Sequence, residues 1–341
     1  MELIIQEVKR ESKDAVTLML KRSDGLELRY EAGQFITLVF PTPFGEKRRS
    51  YSFSSAPSLG ETPAITIKRV VNGEFSRKLV EQTRPGDRLQ ASAVSGLFKL
   101  TSNWKEISQH IFFAAGSGIT PCFSLIKTIL HDSSREVVLI YSNKNREQAI
   151  FHDELIELQR AYPDRFQLRF LFSDLLDVFN SRLSKWLLPQ LLEQYLKTDR
   201  QHIRCYLCGP WDYMRMVQLT LLAEGIPMQA IHKENFDTLP RLHKPAPPDK
   251  EAHEVLIREG ETNYRLRVQY PQTILAAAKE KGIQIPFSCE AGRCGSCVAT
   301  CTKGKVWMAY NEVLMDEEVS AGRFLSCQAY PVGGDIEIRL D

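Results

Sequence analysis

The chain has 341 residues, too many for one ordinary hydrophobic core and suited to two or three domains. Its 44 basic and 42 acidic side chains leave a net charge of +2, without the basic excess that a nucleic-acid partner requires. With 43% hydrophobic and 25% charged residues the composition is globular, its apolar runs fall short of the ~18 residues a bilayer span needs, and Met1-Glu2-Leu3 lacks a basic leader start, so a cytoplasmic location with no membrane contact is expected.

Residues 1–103 alternate short β-rich runs with glycine and proline turns. Strands are expected over 3–8, 15–21, 35–40, 50–54, 64–71 and 88–93, which together suit an antiparallel β-barrel. The run Arg49-Ser50-Tyr51-Ser52 closes one of these strands. Its residue types are those a flavin needs: a cation for phosphate, hydroxyls for ring or ribitol contacts, and an aromatic to cover a ring face. An ordinary strand end with a partly buried tyrosine carries the same letters. About twenty residues on, Gly73-Glu74-Phe75-Ser76 forms a glycine turn leading into a helix expected over 76–81, whose amides suit a pyrophosphate.

From 104 to 237 the pattern changes to strand, turn, helix. Strands are expected at 111–115, 137–141, 166–172 and 205–208, and helices at 121–130, 152–162, 183–196 and 211–224. This order gives an α/β domain with a parallel sheet and a binding crevice at the strand C-termini. Gly116-Ser117-Gly118-Ile119-Thr120-Pro121 lies between the first strand and the first helix, the context that makes a glycine-rich turn meaningful for a dinucleotide. It ends in proline where the usual fingerprint has glycine, and proline is tolerated in a first helical turn. Cys208-Gly209-Pro210 ends the fourth strand at the same crevice. Beyond the second strand, Lys144 and Arg146 lean toward a 2′-phosphate and Asp174 leans against one, which leaves NADH and NADPH both open.

Residues 238–252 hold four prolines in fifteen positions, the composition of an extended, semi-rigid linker. The remainder, 253–341, opens with strands at 254–258 and 265–268 and a helix at 274–281. Then come Cys289, Cys294 and Cys297, with Cys327 far downstream, spaced C-x4-C-x2-C and C-x29-C. Three thiolates converging from one tight loop and a fourth from a returning element make the ligand set of a plant-type 2Fe-2S cluster. Gly292 and Gly295 let the loop turn its amides inward. A zinc site or a disulfide framework is the competing reading, and zinc knuckles usually pair two C-x2-C units where this chain has one. Cys301 completes a C-x2-C-x3-C run with Cys294 and Cys297, but its stretch reads as a strand, so it is expected to serve as a small buried hydrophobe.

The segments 286–297 and 322–328 closely resemble the plant-type ferredoxin domain, and that resemblance implies a β-grasp α+β fold with Cys289, Cys294, Cys297 and Cys327 as iron ligands. In their order and spacing, R-x-Y-S, G-x-x-S, G-x-G-x-x-P and C-G-P resemble the ferredoxin-NADP reductase superfamily across residues 1–237. The whole chain is similar to reductase components of oxygenase systems, with a flavin domain at 1–103, an NAD(P)H domain at 104–237 and a ferredoxin domain at 253–341. The resemblance implies that Arg49, Ser50, Tyr51 and Ser52 hold the flavin, and Gly73, Phe75 and Ser76 its phosphates. It implies further that Gly116, Gly118, Thr120, Pro121 and Gly209 form the nucleotide turn, that Cys208 lies near the nicotinamide, and that Phe236 approaches the flavin. Tyr51, Ser52 and Cys208 are the expected catalytic residues. FAD is favoured over FMN. The expected function is passage of electrons from NAD(P)H through FAD and a 2Fe-2S cluster to a protein acceptor, an oxygenase or another metal-centre protein. A reductase of small acceptors and a redox-sensing module are the alternatives.

Overall fold

The computed structural model describes residues 1–43, 45–177, 181–237 and 245–340. Of the linker expected over 238–252, residues 238–244 lie outside the described residues. The chain forms two compact units, Met1–Asn235 and Phe236–Asp341.

The first unit begins with β1 (Glu2–Ser12), β2 (Ala15–Arg22), β3 (Phe35–Thr42), β4 (Gly45–Ser52), β5 (Ala64–Lys68) and β6 (Arg88–Ser95). They form one antiparallel sheet in the order β4-β3-β6-β1-β2-β5. Its two ends meet: Phe53 bridges Ile65, and the Ser54 amide donates to the Ala64 carbonyl at 2.9 Å, so the sheet closes into a barrel. Alternate residues Leu3, Ile5, Val16, Leu18, Leu20, Ile36, Leu38, Ile65 and Ile67 fill it. The strand expected over 50–54 starts earlier, at Gly45. Its first half, Glu46-Lys47-Arg48-Arg49, has no apolar alternation, and pairing with β3 from Thr42↔Gly45 to Phe35↔Ser52 is what makes it a strand. The helix α1 (Glu74–Gln82) follows β5.

The rest of this unit is β7 (Gln109–Ala115), α2 (Ile119–Asp132), β8 (Glu136–Asn143), α3 (His152–Ala161), β9 (Phe166–Phe172), α4 (Leu187–Tyr195), β10 (Ile203–Cys208), α5 (Trp211–Ala223) and β11 (Ile231–Glu234). All neighbouring strands run parallel, in the order β11-β10-β7-β8-β9. Both faces are covered, so consecutive residues divide between two cores. Phe112 and Ala114 enter one with α2, while Ile111 and Phe113 enter the other with α4 and α5. The fifth strand, β11, is too short and too polar at its end to be read from sequence. α4 begins four residues later than expected, which places Pro189 in its first turn, where a missing N–H costs nothing. Barrel and α/β domain are joined by polar contacts: Ser124 Oγ donates to the Ser55 carbonyl at 2.6 Å, Lys127 pairs with Glu61, and Lys9 pairs with Glu154.

The second unit contains β12 (His253–Glu259), β13 (Thr262–Val268), α6 (Ile274–Glu280), β14 (Val298–Lys303), β15 (Val306–Met308), α7 (Asp316–Ser320), β16 (Arg323–Leu325), β17 (Ala329–Pro331) and β18 (Ile336–Leu340). Its main sheet has the order β13-β12-β18-β14-β16, with β12 and β18 parallel and the other neighbours antiparallel. α6 is capped by Thr273, whose hydroxyl accepts from the Ala276 amide, and it buries Ile274, Leu275, Ala277 and Ala278. A mixed sheet clasping one helix is the β-grasp layout. No helix among the described residues is long and apolar enough to cross a membrane.

Phe112 is fully buried on the central strand and stacks on Tyr206 at 4.8 Å between ring centroids. Phe112→Ala should cost about 3–5 kcal/mol, read as an earlier urea transition of the full chain. An unchanged transition would contradict this packing.

Candidate functional site

The end of β4 carries Arg49, Ser50, Tyr51 and Ser52, paired with Leu38, Thr37, Ile36 and Phe35 of β3. Ser50 Oγ and Thr37 Oγ1 lie 2.9 Å apart. Tyr51 leans on the barrel core, and burial pushes its phenol up to about 12 against the pull of Arg49, so it stays neutral at physiological pH. Ser52 is 3% exposed, and its hydroxyl has no hydrogen-bond partner among the described residues. A buried hydroxyl left unpaired is costly and points to a group that completes it. Arg49 is exposed, with its guanidinium 5.5 Å from the Phe75 ring, and that ring stacks on Phe40 at 4.2 Å.

Helix α1 starts at Glu74, two residues earlier than the expected 76, so Gly73 is its N-cap and Phe75 and Ser76 lie inside its first turn. Ser76 Oγ accepts from the Val70 amide at 3.1 Å, which closes the turn on itself. A Cβ at Gly73 would stand 2.4 Å from that same hydroxyl oxygen.

The nucleotide turn sits where the chain reverses its direction across the sheet: β8 and β9 lie on one side of β7, β10 and β11 on the other. In open α/β sheets this switch point is where ligands bind. Gly116 has φ +55 and its carbonyl accepts from Tyr141 Oη at 3.0 Å; Thr120 Oγ1 donates to the Ser117 carbonyl at 3.0 Å. Pro121 is the third residue of α2, among positions whose amides have no helical acceptor. A Cβ on Gly118 would lie 2.0 Å from the Cys208 carbonyl oxygen, and one on Gly209 would lie 2.9 Å from Ala115 Cβ. The two loops that follow β7 and β10 are thus pressed backbone to backbone, a contact only glycine permits.

Cys208 ends β10. Its backbone borders the crevice, but the side chain is fully buried in the α2-side core, near Cys122 and Glu234. Burial and those neighbours push the thiol far above the usual range, so it stays protonated. Glu234, at the end of β11, is also buried. Phe236 belongs to the second unit and is 42% exposed. Of the residues weighed for a 2′-phosphate, Lys144 and Arg146 are both exposed, and Arg146 pairs with Asp153 at 3.6 Å.

In the second unit Cys294, Cys297 and Cys327 are buried and Cys289 is partly so. The thiols stand two and two: Cys294 hydrogen-bonds Cys289, and Cys297 hydrogen-bonds Cys327. The Cys294 thiol, with the amides of Ala291, Arg293 and Cys294, draws Cys289 down to about 6 against its burial. Cys294 and Cys297 are pushed well up by donating to their partners. Among the described residues no three His, Cys, Asp or Glu side chains are gathered as a mononuclear metal site requires. The four thiols thus stand as two pairs, with backbone amides turned toward Cys289, an arrangement of the kind that a cluster with two cysteines on each iron takes.

Several contacts brace the loop. Gln328 Nε2 donates to the Glu290 carbonyl at 2.9 Å, and the Glu312 amide to the Gly292 carbonyl at 3.0 Å. Gly292 has φ +74, and a Cβ there would come within 3.0 Å of the Tyr310 carbonyl oxygen. Cys301 lies on β14, away from this donor set. It is half-buried, not wholly so as expected, with Sγ 3.4 Å from the Lys303 carbonyl. Sequence reasoning missed Arg293, a large cation in a loop of small residues, whose charge at a buried position was the available signal.

Three segments of the chain match domains of known proteins. Residues 2–100 match an oxidoreductase FAD-binding domain, 112–219 an oxidoreductase NAD-binding domain, and 257–332 a 2Fe-2S iron-sulfur cluster binding domain. The chain is 33% identical to the ferredoxin reductase component of a 3-ketosteroid-9-alpha-monooxygenase from Mycobacterium tuberculosis, over 100% of this chain and 96% of that protein. It is 30% identical to one of the polypeptides of the 1,2-phenylacetyl-CoA epoxidase from Escherichia coli, over 99% and 97%. The phthalate dioxygenase reductase structure shares the fold, with a TM-score of 0.60 at 22% identity over 100% of this chain and 98% of that one.

Gly118→Ala, by driving the turn off the Cys208 backbone, should raise the dissociation constant for NAD(P)H at least about tenfold, with iron content unchanged. Equal affinity would contradict the contact. Raising the pH from 7 to 9 should speed alkylation of the half-exposed Cys301 while Cys122, Cys205 and Cys208 stay unlabelled, because burial holds these thiols protonated. Peptide mapping reads the outcome, and native labelling of Cys208 would contradict its placement.

Proposed function

The chain belongs to the family of oxygenase reductase components, and we propose that it takes electrons from NAD(P)H and delivers them one at a time to an oxygenase component. Bound FAD supplies hydride acceptance and the 2Fe-2S cluster single-electron delivery. The observation that carries this reading is a set of four thiols, three from one loop and the fourth from a returning element, in one polypeptide with a glycine turn pressed on a sheet switch point.

In this reading Ser52 donates its otherwise unpaired hydroxyl to the flavin ring. Tyr51, neutral through burial, covers a ring face, Ser50 lines the strand, and Arg49 meets the phosphates together with the first-turn amides of Gly73, Phe75 and Ser76. Gly116, Gly118, Thr120 and Pro121 shape the nucleotide turn, and Gly209 keeps the facing loop close enough to share it. Cys208 lies near the nicotinamide, lending its backbone to the crevice, while its buried thiol stays protonated and hydride transfer asks no proton of it. Phe236 offers an exposed ring just past Glu234, suited to covering a flavin. Cys289, Cys294, Cys297 and Cys327 hold the irons, two to each. We assign domain limits of 1–103, 104–237 and 253–341. We place the protein in the cytoplasm, which its eight cysteines do not contradict, because four are assigned to iron.

Anaerobic titration with NADH and with NADPH should bleach the flavin band and then the cluster absorbance. Cys327→Ser should lose iron and at least about 90% of cytochrome c reduction while retaining NAD(P)H-dependent ferricyanide reduction taken from the flavin. Full iron content and unchanged cytochrome c reduction in that variant would refute the proposal.

A further inference from the structure

Ligation asks for small residues in the cluster loop, and Ala291, Gly292, Gly295 and Ser296 supply them. Arg293 does not fit that requirement. It is the largest side chain in the loop and one of the few cations buried among the described residues, at 8% exposure. Its own amide donates to Cys289, so its backbone belongs to the sulfur environment. Its guanidinium pairs with two carboxylates: Nη1 lies 3.0 Å from Asp237 Oδ2, and Nε lies 3.4 Å from Glu312 Oε2. The Glu312 side chain is 17% exposed and that of Asp237 38%, so the group is shielded most on the Glu312 side. Burying a cation is costly without such partners.

The pairs bring one positive and two negative side-chain charges to the cysteine loop, whose Arg293 amide faces Cys289. A cluster gains a negative charge when it is reduced, so a nearby cation stabilises the reduced form and a nearby anion opposes it. Partial burial keeps these charges from being screened as surface charges are. We propose that the Asp237–Arg293–Glu312 triad is a potential-setting element, with Arg293 as the positioning residue that fixes the loop amide on Cys289 and places its charge against the reduced cluster. This rests on the reading of the four cysteines as ligands of a 2Fe-2S cluster.

The balance of charges gives a test that bracing alone does not mimic. Arg293→Gln makes the surroundings more negative by one unit, and Glu312→Gln or Asp237→Asn makes them less negative by one unit. In the full-length holoprotein, redox titration followed by electron paramagnetic resonance should show the Arg293→Gln midpoint moving down and the Glu312→Gln and Asp237→Asn midpoints moving up. Each shift should change the reduced-to-oxidised ratio at the wild-type midpoint by about threefold or more, roughly 30 mV at 59 mV per tenfold. Arg293→Lys, which keeps the charge and loses the fork, should fall between wild type and Arg293→Gln. If Arg293→Gln fails to hold iron, the half-exposed Asp237→Asn decides alone: a raised midpoint supports the inference and an unmoved one overturns it. Midpoints that shift in the same direction in all variants, or stay in place with iron content full, overturn the inference and leave the cluster reading standing. A wild-type protein with no reducible cluster overturns both.

Discussion

The second unit is organised around four thiols gathered inside protein, of which Cys289 is the one whose surroundings favour the thiolate. A buried thiol is inexpensive and a buried thiolate is not, unless donors face it. At Cys289 the loop 289–297 meets that condition with the Cys294 thiol and three backbone amides. The amides of Ala291, Arg293 and Cys294 turn toward Cys289, and this orientation demands a left-handed residue at Gly292, where a Cβ would strike the Tyr310 carbonyl. The loop is then held from outside by Gln328 and by Glu312.

The same device serves the first unit. At the switch point the backbone after β7 and the backbone after β10 touch because Gly118 has no Cβ, and the strands on either side are buried on both faces. A parallel sheet with two cores is a stiff support, so the turn it carries is fixed in place before any ligand arrives. The barrel contributes differently, through side chains: a buried hydroxyl on Ser52, a phenol kept neutral on Tyr51 and an exposed guanidinium on Arg49. The barrel and the α/β domain meet through polar contacts such as Ser124 to Ser55 and Lys127 to Glu61.

Much of this was legible in the amino-acid order because spacing encodes it. The cysteine intervals, the strand-turn-helix setting of Gly116 to Pro121 and the shift from period-two to helical patterning near residue 104 each follow from local geometry. What was not legible depends on partners distant in sequence. The charged start of β4 is a strand only because β3 lies beside it, and β11 only because β10 does. The side-chain direction of Cys208 is set by the alternation of a strand whose two faces are both apolar, where hydropathy gives no preference. Intervals between cysteines also do not tell which thiols pair, and the grouping of Cys289 with Cys294 and Cys297 with Cys327 comes from the fold. Arg293 was overlooked because nothing in its neighbourhood in sequence announces Asp237 and Glu312 as counterions.

The most direct test of the two-and-two sulfur grouping is metal and sulfide analysis of the purified protein, combined with Mössbauer spectroscopy of the oxidised iron. The account predicts two irons and two acid-labile sulfides per chain, with both irons in tetrahedral sulfur coordination. A single zinc, or four irons with four sulfides, would contradict it.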